Sequence, residues 1–134
     1  SWLVSFGNWL FGGLVTEPVL KEIIHDHKLL TPAVRERSKQ NRQRPGLIKP
    51  LMAIKETLPS WEADFARRIS SISHPTMIIW GDQDRVFPLA VGTELHRTIR
   101  GSTFVTIPHA GHMPQWERPD LVNQLLIAYI DSPL

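Results

Sequence analysis

The sequence contains no cysteine, which excludes both a disulfide framework and a thiolate metal site. The absence of cysteine fits a cytoplasmic setting, and we take the cytoplasm as the expected location. No apolar run approaches the ~20 residues that a helix needs to cross a bilayer, so we expect no membrane span. The apolar opening, residues 1–15, lacks a basic n-region, and a signal peptide is therefore not expected.

An excess of one charge is also lacking. Fifteen Lys and Arg residues against 13 Asp and Glu give a formal net charge of +2, too small to indicate a nucleic-acid partner. The basic tract at residues 35–44 contains no aromatic residue, and we interpret it as the solvated face of a helix. The length and composition are those of an ordinary globular protein. A chain of 134 residues, 42% hydrophobic and 21% charged, fits one globular domain with a buried core.

Residues 1–71 have the pattern of helices without strands. Thr16 and Thr31 are each followed closely by a proline, Pro18 and Pro32, as at the capped starts of helices. Helices are predicted within residues 16–30, 31–43, 46–59 and 60–70.

Residues 72–134 alternate between strand and helix. Short apolar runs predict strands within 74–81 and 102–108, and helices are predicted within 88–99 and 118–130. This order implies parallel strands joined by crossover helices, hence an α/β fold. Both strands are apolar on both faces, as interior strands are, yet two strands alone leave open edges. We therefore expect an incomplete sheet, completed by a missing N-terminal part of the domain or by a partner chain.

Residues able to do chemistry follow each predicted strand. Asp82 and Asp84 lie in "WGDQDRVFP" after the first strand, and His112 lies in "HAGHMPQWERP" after the second. Open α/β sheets form their sites beyond the carboxyl ends of the strands, so these loops should meet. An imidazole beside a carboxylate is the usual general base, because the carboxylate fixes its tautomer. The alternative is structural, since Asp is also common in turns and helix caps.

These stretches resemble the C-terminal half of the α/β-hydrolase superfamily. Residues 72–131 carry a strand ending in W-G-x-x-D-x-x-x-P and a loop with the pattern A-G-H-x-P-x-x-E-x-P. The segment "GHMPQWE" is similar to the form found in carbon–carbon bond hydrolases of aromatic degradation. The resemblance implies the C-terminal part of an α/β-hydrolase fold in residues 72–134, preceded by a helical cap or lid in residues 1–71. It also implies a hydrolase of small molecules that needs no metal or organic cofactor.

The resemblance also assigns roles to single residues. In this family the triad runs nucleophile, acid, base along the chain, so Asp84 is the predicted acid and His112 the predicted base. Asp82 is the runner-up acid. His109 falls at a variable position and is expected to be structural or exposed, while Glu117 is expected to shape the loop. Three apolar side chains could line a pocket or belong to the core: Phe87, Met113 and Trp116.

The nucleophile elbow of the family, G-x-S-x-G, has no match in these 134 residues. The nearest stretch is "LVSFG", but Leu3 stands where the elbow needs a small residue, so Ser5 is not assigned. We expect the chain to supply the acid and base of a serine-type hydrolase acting on an ester, amide or carbon–carbon bond, and to be inactive alone. An Asp nucleophile stays open. The alternatives are a non-catalytic receptor or interaction protein of the same fold, and an inactive truncated product.

Overall fold

The computed structural model describes residues 17–42, 46, 53 and 68–131. The predicted helices within 46–59 and 60–70 therefore lie largely outside the described residues, as does the apolar opening. In the described ranges no helix is both long and apolar enough to cross a membrane. The elements, in chain order, are α1 (Glu17–Ile23), a 3-10 turn (His27–Leu29), α2 (Pro32–Arg42), β1 (Met77–Gly81), α3 (Leu89–Thr98), β2 (Thr103–Ile107), α4 (Pro114–Glu117) and α5 (Pro119–Ile130).

Helix α1 is shorter than the predicted helix, which extended to residue 30. It ends at Ile23, whose carbonyl oxygen accepts the backbone N–H of His112 at 2.8 Å. Asp26 then caps the 3-10 turn, its Oδ1 accepting the Lys28 N–H at 3.1 Å. A carbonyl at a helix end needs a partner outside the helix, and here a distant loop provides it. The prediction of one continuous helix was wrong for that reason.

Helix α2 begins as predicted. Thr31 Oγ1 accepts the Val34 N–H at 3.3 Å, and Pro32 occupies the first helical position. Within the basic tract, Arg37 and Lys39 are exposed, and Arg35 forms an ion pair with Glu17 of α1. The described part of the tract is therefore a helix with a largely solvated face, as expected from the sequence.

The two strands pair in parallel and are joined by α3, as the strand–helix–strand pattern predicts. The register runs from Met77 opposite Thr103 to Gly81 opposite Ile107. The carboxyl ends of β1 and β2 therefore meet at the same edge of the sheet. The loops that follow the two strands start from neighbouring positions.

Helices α3 and α5 cover opposite faces of this sheet. A Cβ added to Gly92 of α3 would lie 2.7 Å from the Trp80 ring, so α3 packs closely on that face. On the other face, Ile107 and Ala110 form a buried cluster with Val122 of α5. The layers are thus helix, sheet, helix, the arrangement of an α/β fold.

The sheet has two strands within the described part of the chain, and apolar surface stays uncovered. The apolar spacing of α5 predicts one packed side made of Leu121, Leu125, Leu126 and Tyr129. Leu121 and Leu125 do pack against the buried cluster, but Leu126 is 42% exposed, and the buried residue of the helix is Val122. Ile127 and Ile130, near the end of α5, are 61% and 77% exposed. Uncovered apolar side chains of this size fit the expectation of an incomplete sheet.

Candidate active site

The Asp84 loop, residues 82–88, follows β1 and holds its own carboxylate in place. Asp84 Oδ1 accepts the N–H groups of Val86 at 2.8 Å and Phe87 at 2.9 Å. The Phe87 carbonyl in turn accepts the Trp80 Nε1–H at 3.0 Å. Asp84 is a turn-forming residue here, as the structural alternative predicts, but only one of its oxygens binds the turn. The other oxygen is left to bind a different group.

The His112 loop, residues 108–113, follows β2 and provides that group. His112 Nδ1 lies 3.0 Å from Asp84 Oδ2, so the predicted pairing of these two side chains is confirmed as a contact. The Asp84 side chain is 5% exposed and that of His112 is 31% exposed. The Phe87 ring lies against the imidazole, with ring centroids 5.1 Å apart. Because an ionised carboxylate only accepts hydrogen bonds, Nδ1 carries a proton in this pair, and a neutral ring then presents a basic Nε2.

The two loops touch through their backbones. The N–H of Asp82 donates to the Ile107 carbonyl at 3.1 Å, and that of Gln83 donates to the Ala110 carbonyl at 2.9 Å. A Cβ at Gly81 would overlap the carbonyl oxygens of Ala110 and Gly111. Gly81 is therefore needed for close backbone approach, and this approach brings Asp84 within reach of His112.

Glu117, at the end of α4, is a buried carboxylate for which the sequence predicts only a role in shaping the loop. It is 8% exposed. Its Oε2 accepts the N–H groups of His25 at 2.7 Å and Asp26 at 2.9 Å, and its Oε1 accepts the Gly111 N–H at 2.7 Å. The pattern A-G-H-x-P-x-x-E-x-P contains Glu117 and so drew attention to it. Nothing in the sequence indicated that Glu117 would bind the backbone of His25 and Asp26.

The other candidate residues take no part in the Asp84–His112 bond. Asp82, the runner-up acid, has a buried Oδ1 without a hydrogen-bond partner in the described part of the chain. His109 is exposed and adopts a left-handed φ of 56°, as a turn residue does. Trp116 is 37% exposed, and Met113 is partly buried. Among residues 17–42 and 68–131, no cluster of three or more His, Asp or Glu could hold a metal ion.

Comparison with known proteins places the chain in a family. A family model described as the alpha/beta hydrolase fold matches residues 16–119, a range that includes both loops. The chain belongs to the α/β-hydrolase family, and the predicted resemblance and fold class are confirmed.

Among curated proteins, the chain is similar to hydrolases that share one name. A 2-hydroxy-6-oxononadienedioate/2-hydroxy-6-oxononatrienedioate hydrolase of Klebsiella pneumoniae is 31% identical over 129 residues, which cover 90% of this chain and 45% of that protein. The protein of the same name from Escherichia coli is 36% identical over 78 residues, covering 58% of this chain and 27% of that protein. The chain spans less than half the length of these relatives.

Solved structures show the same partial coverage. The meta-cleavage product hydrolase CumD of Pseudomonas fluorescens matches with a TM-score of 0.78 at 19% identity, over 95% of this chain and 50% of that one. A 2-hydroxy-6-oxo-6-phenylhexa-2,4-dienoate hydrolase of Rhodococcus gives a TM-score of 0.68 at 19% identity, over 95% and 47%. At these identities the likeness shows the fold. A thermophilic esterase of Thermogutta terrifontis matches at 25% identity with a TM-score of 0.63, over 94% and 47%.

Proposed function

We propose that this chain supplies the acid and the base of a serine-type α/β-hydrolase that cleaves a carbon–carbon bond in a small molecule. Asp84 is the orienting acid and His112 the general base. The observation that carries the proposal is the 3.0 Å hydrogen bond between His112 Nδ1 and Asp84 Oδ2. The choice of bond is supported by the name of the Klebsiella relative, which is 31% identical to this chain.

The proposed chemistry follows from the orientation of the imidazole. With Nδ1 bound to Asp84, Nε2 takes the proton of a serine hydroxyl as its oxygen attacks a substrate carbonyl carbon. The buried Asp84 carboxylate stabilises the imidazolium that forms. When the carbon–carbon bond breaks, its electron pair leaves with the departing fragment, which is protonated, and water then hydrolyses the acyl-enzyme. The serine would come from outside this sequence, because no G-x-S-x-G elbow occurs in it.

The proposal also assigns a structural role to each part of the chain. Residues 1–71 would form a helical cap, and residues 72–134 would form the last strands and helices of the core. A further segment or a partner chain would complete the sheet. Support comes from the 45% coverage of the Klebsiella relative and from the exposed apolar end of α5. The cytoplasmic location and the absence of a nucleic-acid partner stay predictions.

Ester hydrolysis is the second candidate, because the same acid and base serve both reactions. The match to the thermophilic esterase at 25% identity favours it. A non-catalytic receptor of the same fold is less well supported, since a receptor has no need of an imidazole paired with a buried carboxylate.

The intact protein that contains this sequence should be assayed with 2-hydroxy-6-oxononadienedioate. Cleavage would destroy the conjugation of that substrate, so its absorbance should fall, and a p-nitrophenyl ester serves as the comparison substrate. We expect turnover of the dienedioate to be faster and to be lost in His112→Ala. Turnover of the ester alone would reject the carbon–carbon assignment. Turnover of either substrate that is unchanged in His112→Ala would reject the role of the base.

A further inference from the structure

Glu117 has three backbone hydrogen bonds that the proposed chemistry does not use. We propose that Glu117 is a positioning residue that sets the placement of His112 by tying the His112 loop to residues 23–26. The inference rests on the proposed role of His112 as the base. It assigns no contact between Glu117 and the substrate.

The carboxylate joins two segments that are far apart in the chain. Oε1 holds the N–H of Gly111, the residue immediately before His112, at 2.7 Å. Oε2 holds the N–H groups of His25 and Asp26, which are 92 and 91 residues away in sequence. Bonds from N–H groups to an ionised carboxylate are about twice as strong as neutral ones. The Glu117 side chain thus fixes the backbone next to His112 to the backbone of residues 25 and 26.

A second bond fixes the same junction from the other side. The N–H of His112 itself donates to the Ile23 carbonyl at 2.8 Å. The two backbone segments are closely packed at this point, since a Cβ at Gly111 would lie 2.7 Å from the Ile23 oxygen and 3.0 Å from the His25 nitrogen. The peptide units on both sides of Gly111 are therefore anchored to residues 23–26. The imidazole projects from this anchored stretch.

The backbone donors around Glu117 decide what its removal would disturb. Burying a carboxylate is costly, and here three backbone N–H groups offset that cost. The donors that offset the burial belong to the His112 loop and to residues 25–26. Removing the carboxylate should therefore shift His112 while leaving Asp84 in place, because Asp84 is held by Val86 and Phe87 in its own loop.

Glu117→Gln in the intact protein tests this directly. Gln keeps the size of the side chain but replaces one oxygen with an NH₂ group, which cannot accept an N–H. The readout is the His112 Nδ1–H proton in NMR spectra of protein labelled with ¹⁵N in the histidine rings, assigned by its loss in His112→Gln. We expect the exchange of this proton with water to become about 10-fold faster or more. Glu117→Gln removes one charge-assisted hydrogen bond that holds the His112 loop, so the Nδ1–H bond to Asp84 should open more often by about that factor.

Glu94→Gln is the matched control. Glu94 is an exposed carboxylate on α3, bonded to Arg97, and lies outside the site. The His112 signal should be unchanged in that variant. A folded Glu117→Gln protein with an unchanged His112 signal would overturn the inference.

Asp26 provides a second pair of variants if Glu117→Gln does not fold. Its φ of −81° suits proline, so Asp26→Pro removes the N–H that Glu117 accepts. Asp26→Ala keeps this N–H and removes only the cap on Lys28. Asp26→Pro should shift the His112 signal in the same direction as Glu117→Gln, and Asp26→Ala should not. Identical signals in the two variants would overturn the inference.

Kinetics separates this inference from the proposed function. A displaced base should lower kcat by about 10²-fold and leave KM nearly unchanged, since a misplacement near 1 Å has that effect. If His112→Ala retained full turnover, the proposed function would fail whatever the NMR result. If His112→Ala were inactive while Glu117→Gln kept both its kcat and its NMR signal, only the role of Glu117 would fail.

Discussion

The Asp84 loop and the His112 loop lie side by side, yet they are held in different ways. Asp84 is fixed by the N–H groups of residues two and three positions further on, within its own loop. The His112 loop is fixed by the carbonyl of Ile23 and, through Glu117, by His25, which is 92 residues from Glu117 in sequence. The side chain of the proposed acid is therefore oriented within its own loop, whereas the loop of the proposed base depends on residues 23–26. The proposed base should be the more vulnerable of the two to changes elsewhere in the chain.

The largest expected effect comes from removing the side-chain hydrogen bond between Asp84 and His112. If the proposed function holds, His112→Ala and Asp84→Ala in the intact protein should each lower kcat by roughly 10⁴-fold, the size of the effect in Ser-His-Asp triads. Each change removes the base or the group that orients it. His109→Asn, at an exposed position of the same loop, is the control and should keep the wild-type rate, because Asn tolerates the left-handed φ of residue 109. A loss below 10-fold in His112→Ala would refute the assignment.

The next largest effect should come from separating the loops. Gly81→Ala places a Cβ against the carbonyl oxygens of Ala110 and Gly111, which are backbone atoms and cannot yield easily. We expect a loss of more than about 3 kcal/mol in the free energy of unfolding, at the upper end of overpacking effects, measured by urea denaturation. Gly92→Ala is the comparison, because its Cβ would meet only side-chain rings, of Trp80 at 2.7 Å and Phe104 at 3.0 Å, and these can shift at a lower cost than backbone atoms. A larger loss in Gly92→Ala would contradict this account of the junction.

A smaller effect should distinguish the two carboxylates. In Asp84→Asn, the retained oxygen can still accept the N–H groups of Val86 and Phe87, so the free energy of unfolding should change by less than about 1 kcal/mol. In Glu117→Gln, an NH₂ group must face either Gly111 or the His25–Asp26 pair, and we expect a loss of about 2 kcal/mol. Urea denaturation of both variants measures the difference. Equal losses of stability would mean that the Asp84 loop and the His112 loop tolerate the change of a carboxylate to an amide equally well.

The same difference explains what could be predicted from the sequence. The strand–helix–strand order, the Thr31 cap and the meeting of Asp84 with His112 depend on short patterns and on the shared edge of parallel strands. The end of α1 at Ile23 and the partners of Glu117 could not be predicted, because both depend on contacts between segments about 90 residues apart. The exposure of Leu126 was missed for a related reason. Helical spacing shows which residues share a side, and the packing partners decide which side is covered.

The smallest expected effect lies on the exposed face of α3. Hydrogen bonds from Arg97 lower the pKa of Glu94, and both side chains are exposed. Because the folded-state pKa is lowered, any stabilisation by this pair is present above the unfolded-state pKa and is lost as the pH falls through the folded-state pKa. Solvent screens such a pair, so Glu94→Gln should leave the midpoint of urea unfolding unchanged at neutral pH within error. The variant removes the same charge as Glu117→Gln, from an exposed site. If the two variants lowered stability equally, the loss would be a general effect of removing a carboxylate, and burial at the junction of the His112 loop could not be its cause.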